Sequence, residues 1–239
     1  RQMCIRDRVW SNNTQIIGNI IANNAWMGGI YVQYGANNSI RDNIFINNNP
    51  AIYLYWHTSV NNIVVNNTII DGGLGIYVWY SNKNNISGNF LSRNRQGMLF
   101  SWDAVDNNVS NNVLIENEYG IQFSSCSGKN VLKRNRMIRN KYSLLVQGWS
   151  ISDYIHDIDS SNTVDGKPIY YLVNQKNKVI PADAGYVGAV NCEDIVVRGQ
   201  NLSNNGQGVM FAYTTGSIIK DVNISNNYYG IYLFYSVIT

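Results

Sequence analysis

A small residue opens a Gly-Ile-Tyr-Val-like segment every 22 to 24 residues along most of this chain. These residues are Gly29, Ala51, Gly75, Gly97, Gly120 and Ser143, then Gly208 and Gly230 after one long gap. Fixed columns travel with them. An aliphatic residue stands eleven positions earlier, as at Ile40, Val64, Ile86, Val109 and Leu132. Asparagine stands three positions earlier, as at Asn48, Asn94, Asn117, Asn140, Asn205 and Asn227. A period in the low twenties with apolar columns specifies a solenoid, in which each repeat buries its apolar face against its neighbours.

The period reads as strand, not helix. From Gly29 the side chains alternate, Ile30 inward, Tyr31 outward, Val32 inward, Gln33 outward, the two-residue repeat of a half-buried strand. Val, Ile, Tyr, Phe and Trp dominate these runs, as strands prefer. Asn-Asn, Asn-Gly and Ser-Asn pairs between them are turn chemistry. The predicted fold is all-β, a single-stranded right-handed parallel β-helix of about ten 22–24-residue rungs, a rod about 50 Å long. Ile21, Phe45, Ile69, Leu91, Leu114, Met137, Leu202 and Ile224 are expected in one inward column.

Asparagine is about one residue in six, far above ordinary usage. The column Asn19, Asn43, Asn67, Asn89, Asn112, Asn135 repeats with the rungs. Asparagine tolerates the left-handed backbone of a sharp corner, so these residues are expected at corners. Stacked one per rung, their amides donate and accept along the axis. The apolar columns set the chain apart from disordered Asn-rich sequence.

Charged residues are 14% of the chain and the net charge is +3, which leaves no footprint for nucleic acid. Lys133, Arg134, Arg136 and Arg139 read as a solvated outer turn. No apolar run approaches the length of a membrane-spanning helix, and no signal peptide is visible. The chain starts inside one repeat and stops where another should begin, without polar caps, which predicts further rungs or domains at both ends. Residues 1–8 break the pattern and resemble a translated sequencing-library adapter, pointing to a metagenomic fragment; residues 9–239 are expected to form one β-helix domain. Cys126 and Cys192 lie about three rungs apart, too far for a disulfide on one face, and read as small, partly buried thiols.

The pattern weakens over about 149–196. Gly166 lies 23 residues after Ser143 with Ile155 eleven before it, so a rung is expected to persist there. Pro168 implies a bulge or an edge, and 174–178 reads as a protruding polar loop. The expectation is two broader rungs with a loop.

These features resemble the right-handed parallel β-helix proteins of the pectin-lyase-like class. The repeats "NNIVVNNTIIDGGLGIYV" and "NNVSNNVLIENEYGIQF" resemble its NosD-type, carbohydrate-binding and sugar-hydrolase group. The interruption from Asn162 to Val209 is similar to archaeal surface proteins of that group, as found in methanogens. The resemblance covers about residues 10 to 239 and implies the fold; this repeat serves unrelated functions.

The class includes polysaccharide lyases, hydrolases and epimerases. A glycosidase needs two suitably spaced carboxylates. Asn162-Thr163-Val164-Asp165 only echoes the polygalacturonase Asn-Thr-Asp, and the Asp-Asp, Gly-His-Gly, Arg-Ile-Lys and Asp-Pro-His elements are absent. His156 beside Asp157 is a candidate acid–base pair, and Asp153, Asp157 and Asp159 a candidate calcium cluster; solvated turns are the alternative for both. Copper, the literal association of the NosD name, favours His, Cys and Met clusters, whereas His57 and His156 are about four rungs apart. No metal site and no cofactor are expected, and no catalytic residue is assigned. Seven Asn-x-Ser/Thr sequons, at Asn12, Asn37, Asn66, Asn85, Asn108, Asn201 and Asn223, read chiefly as turn residues.

The strongest candidate site is aromatic. Two positions after the small residue stand Tyr31, Tyr53 and Tyr77; four after it, Tyr55 and Trp79; five after it, Tyr34, Trp56, Tyr80 and Trp102. The next rung carries Gln122, Ser124 and Ser125, so this is a patch and not a property of the repeat. Flat rings with polar tips suit sugars; stacking along the rod and burial at an interface are the alternatives. The expected function is a non-catalytic extracellular, cell-surface or periplasmic β-helix that binds glycan or presents a surface. A polysaccharide lyase or hydrolase, and a structural adhesin stalk or NosD-like periplasmic accessory protein, stand as alternatives.

Overall fold

A computed structural model of the chain describes residues 7–9, 12–125 and 128–237. Most of the adapter-like start, and Cys126, lie outside them. The protein is an all-β parallel solenoid of about nine turns, as a right-handed parallel β-helix requires. In its first stack each turn supplies three short strands. One seven-stranded sheet runs from Asp7–Val9 to Tyr142–Gln147, and a second from Gln15–Ile17 to Asp157–Ile158. A third runs from Ile20–Ala22 to Thr163–Val164 on the seventh turn. Pairing is in register, so Ile30, Ile52, Ile76, Met98, Ile121 and Leu144 stack partner on partner. The expected inward column is buried from Ile21 to Met137 and again at Leu202, and Ile224 is half-buried on the last described turn.

The asparagines form ladders inside the rod. Asn112 Oδ1 accepts the backbone N–H of Asn89 at 2.9 Å and its Nδ2 at 3.0 Å. Asn112 Nδ2 donates to Ile86 O and to Asn135 Oδ1, each at 2.9 Å. Every hydrogen-bonding site of that buried amide is used. The same pattern runs from Asn19 through Asn43, Asn67, Asn89, Asn112 and Asn135 to Asn162. A second ladder joins Asn38, Asn62, Asn84, Asn107 and Asn130, and a third Asn94, Asn117 and Asn140. The left-handed corner residue is not the ladder asparagine itself but the one before it: Asp42, Asn66, Gly88, Asn111 and Arg134 have φ of 54° to 65°. That residue turns the chain, and the turn aims the next side chain inward.

The irregular middle differs from the expected pair of broad rungs. Thr163–Val164 and Lys167–Val173 pair antiparallel, with Asp165 and Gly166 at the turn, φ 49° and 81°. Gly166 is therefore a hairpin glycine and does not open a rung, and Ile158 rather than Ile155 pairs with Leu132. The stretch expected as a polar loop runs into the exposed strand Lys176–Val179, which pairs with Glu193–Arg198 and carries a Lys176–Glu193 ion pair.

The hairpin starts a second, shorter stack whose main sheet is Lys167–Val173, Tyr186–Val190, Gln207–Ala212 and Tyr229–Phe234. Both faces of its inner strands Tyr186–Val190 and Gln207–Ala212 are covered, which explains their near-continuous apolar sequence. Val187, Ala189, Val209 and Phe211 face the stack's own core. Ile169, Tyr171, Tyr186, Met210 and Ala212 belong to the core of the first stack. The sheet thus lies over the end of the first stack as a lid. It also satisfies an open strand edge: Ser143 N–H donates to Asn204 O at 2.7 Å, and Gly206 N–H to Leu144 O at 2.9 Å. Gln207 completes the seam, donating through Nε2 to Val146 O at 2.7 Å and accepting the Tyr186 hydroxyl at 3.1 Å.

Replacing Asn112 by Ala strips the acceptor from two buried donors of Asn89 and the donor from Ile86 O. Asn112→Ala is expected to cost about 3 kcal/mol, at ~1–3 kcal/mol per buried unsatisfied group. The outward Asn108→Ala should stay within about 0.5 kcal/mol of the parent. Urea unfolding midpoints compare the two, and equal midpoints would refute the ladder's role.

Candidate functional site

The nine candidate aromatics come together on the outer face of the first sheet, but in two kinds of arrangement. Tyr53 and Tyr77 are stacked at 4.6 Å with planes 8° apart, and Tyr55 and Trp79 at 4.6 Å with planes 4° apart. Strand register sets this spacing, since Tyr53 pairs with Tyr77 and Tyr55 with Trp79. Stacked along the rung-to-rung direction, the rings cover one another's faces and turn edges to water. Tyr31 packs on Tyr53 at 5.1 Å and Tyr55 at 5.6 Å and is only 5% exposed. Burial, then the neighbouring phenols Tyr77, Tyr31 and Tyr55, push the Tyr53 hydroxyl up, so it remains a donor. The flat faces of Tyr53, Tyr55, Tyr77 and Trp79 are therefore turned largely toward one another.

Tyr34, Trp56, Tyr80 and Trp102 form the second arrangement, a ridge at the corner where the strand ends. Their φ values are 58°, 81°, 50° and 49°. Bulky residues rarely adopt this left-handed backbone, whose cost is about 1–2 kcal/mol outside Gly and Asn. Most other left-handed positions carry Asn, Asp, Gly or a charged residue, although the equivalent corner of the second stack carries Tyr213 and Tyr235, and Trp26 is left-handed as well. The ridge rings are spaced more widely, at 6.1, 5.8 and 6.2 Å. Tyr34 and Trp102 are 43% and 52% exposed.

On the two turns past Trp79 the outer face steps down. Tyr77 pairs with Leu99 and then Gln122, and Trp79 with Ser101 and then Ser124. Beyond that step stands Trp149, which sequence reasoning missed because it lies in the irregular segment. It is 78% exposed, and its indole N–H donates to Ser125 Oγ at 3.0 Å.

The other candidates do not assemble. His156 is fully buried, with its ring 4.3 Å from Phe123. Its Nε2–H donates to Asp153 O at 3.0 Å, leaving Nδ1 a bare acceptor. Asp157 instead lies outside, 3.6 Å from Lys133. Asp153 is buried and accepts the backbone N–H groups of Trp149 and Ser150 at 2.7 and 2.9 Å, while Asp159 holds Ser161. The acid–base pair and the calcium cluster are thus dispersed. Cys192 is buried in the second core with its thiol on Val190 O at 3.3 Å.

The family model described as "Periplasmic copper-binding protein (NosD)" matches residues 5–167, more than half of the chain. No curated protein and no solved structure matches. The copper of that description finds no fitting donor set among the described residues. Among the described residues no three of His, Cys, Asp and Glu are grouped as a metal ion needs. His57 is exposed beside Trp56, while Met98, Met137 and Met210 are sealed in the apolar core.

Burial lowers the His156 pKa from 6.5 to about 4. Between those values the unfolded chain binds a proton that the folded chain refuses. Stability from this group is full above pH 6.5 and falls as pH drops toward 4, by about 3 kcal/mol. His156→Phe should remove this component. Urea midpoints at pH 7 and pH 4.5 are expected to converge more in the variant than in the parent; an identical pH dependence would refute it.

Proposed function

The chain belongs to the NosD family, and from that premise we propose that it is a non-catalytic β-helix protein of the periplasm or cell surface that holds glycan against its aromatic ridge. One observation carries the reading. Tyr34, Trp56, Tyr80 and Trp102 occupy left-handed corners that oppose bulky residues, with Tyr34 and Trp102 well exposed. Strain kept at a surface position points to use of the side chain there. Exposed indole and phenol rings take the apolar face of a pyranose while polar tips reach its hydroxyls. A ridge buries little of its ligand, so affinity is expected to be weak and to depend on several rings.

A structural role is favoured for the stacked pairs Tyr53–Tyr77 and Tyr55–Trp79, because their faces are already occupied. Each such pair stabilises the rod by about 0.5–1.5 kcal/mol beyond burial.

The two roles separate by mutation. On a glycan array followed by calorimetry, Trp102→Ala is expected to weaken binding about tenfold, equivalent to about 1.4 kcal/mol, with the unfolding midpoint unchanged. Trp79→Ala should lower the midpoint. An array without hits, or undiminished binding by Trp102→Ala, would overturn the glycan reading.

A further inference from the structure

Trp149 is exposed yet held by buried groups. Both its own backbone N–H and that of Ser150 donate to one carboxylate oxygen of Asp153. Asp153 and Tyr154 are buried at the base of the loop, in the 3-10 helix Ile151–Tyr154. The Tyr154 hydroxyl bonds Gly148 at both N and O, each 3.1 Å, and lies 3.3 Å from the Tyr232 hydroxyl of the second stack. Gly148 permits this closeness, because a Cβ there would lie 2.1 Å from Asp153 Cβ. The loop is therefore a pedestal anchored where the two stacks meet. It carries an indole whose only hydrogen bond to a described residue is Ser125 Oγ. Apolar burial does not account for that expense, since 78% of the residue is in water. Rings immobilised in the unbound state lose less entropy on binding, which is how exposed tryptophans become binding anchors.

Trp149 also borders the step in the outer face. On one side Tyr77 and Trp79 end their stacks against Leu99 and Ser101. On the other, the second stack covers Leu145, to which Gly206 packs directly, and reaches Gln147 through the Tyr229 hydroxyl at 3.2 Å. Between lie two turns on which the positions of Tyr77 and Trp79 are taken by Leu99, Ser101, Gln122 and Ser124. Two turns span about 10 Å, and all four side chains are shorter than the rings beside them. Trp102 and Trp149 rise from the corner flanking Ser125. The floor is polar and partly unused: Gln122 Oε1 accepts from Gln96 at 2.8 Å, while Gln122 Nε2 and Ser124 Oγ donate to no described residue.

We propose that this step is a saccharide subsite, in which a pyranose lies between Trp102 and Trp149 with hydroxyls on Gln122 and Ser124. This deepens the glycan reading and rests on it. The ridge supplies sequence-tolerant stacking, and the step selects among sugars, because a polar site rejects ligands that leave its donors unpaired.

The experiment uses the full chain and a panel of defined cello-, xylo-, manno- and chito-oligosaccharides, titrated by calorimetry. Trp149→Ala is expected to weaken the best ligand about tenfold, with an unchanged urea midpoint. Gln122→Ala is expected to change the order of preference across the panel. Ser124→Trp, which fills the step, should abolish binding while the protein stays folded. If Trp102→Ala weakens binding but the Trp149, Gln122 and Ser124 variants match the parent in affinity and preference, the subsite is refuted and the ridge stands. If the parent binds no oligosaccharide, both fall.

Discussion

The asparagine ladder is the interaction on which the rest of the rod depends. A β-helix must turn its backbone sharply at each corner, and each turn leaves amides and carbonyls pointing where no strand partner exists. Left unpaired inside the rod, each such group would cost about 1–3 kcal/mol. Here one carboxamide per corner answers the need. Its oxygen receives the backbone N–H and the side-chain amide of the preceding turn, and its nitrogen reaches back to a carbonyl such as Ile86 O and forward to the next oxygen. Because these bonds span one rung, they hold the rung spacing and register together. Aliphatic columns then stack without slippage, and the outer side chains inherit the same spacing. The 4.6 Å ring separations of the aromatic block are a consequence of this internal order.

The second stack addresses a different problem. A parallel stack ends in open strand edges and an uncovered core, both of which invite association. The chain reverses at Asp165–Gly166 and lays a sheet over that end, so that Tyr171, Tyr186 and Met210 close the first core. In the first stack the outward positions of these strands carry Tyr53, Tyr77 and Trp79. The equivalent positions Met210, Ala212, Tyr232 and Phe234 turn instead onto the first stack. The same repeat thus builds a solvent face in one place and a buried contact in another. His156 lies in that contact region, so its neutral state is part of what keeps the lid seated.

Much of this was legible in the sequence, and the residues that were not share a cause. Periodicity exposed the inward column from Ile21 to Met137 and the Asn19–Asn135 ladder, because both are demanded once per turn. It placed the nine aromatics on one outer region for the same reason. It did not separate Tyr53 and Tyr77, which cover each other, from Trp102, which is open, because exposure depends on the orientation of neighbouring rings. It misassigned Gly166, whose spacing from Ser143 matches the repeat by coincidence while its backbone serves a hairpin. It passed over Trp149, since a pedestal made by Asp153, Tyr154 and Gly148 has no period.

Positions that obey the repeat and positions that resist it therefore carry different information. Leu114 or Asn112 is explained once the rod is explained, since rung packing and amide pairing account for it. Trp56 and Trp102 are not, because a left-handed corner is better served by the Asn, Asp and Gly found at many of the others. Nor is Trp149, whose indole stays in water while buried groups fix its backbone. Such conflicts between local preference and placement are where function is expected to reside. Two of them stand side by side in this protein. Trp102 and Trp149 flank the one corner, at Ser125, where the aromatic ridge is interrupted and the strand face beside it turns from rings to Gln122 and Ser124. The outer face thus runs from a stacked aromatic block to a step at which Gln122 and Ser124 stand where the rings stood.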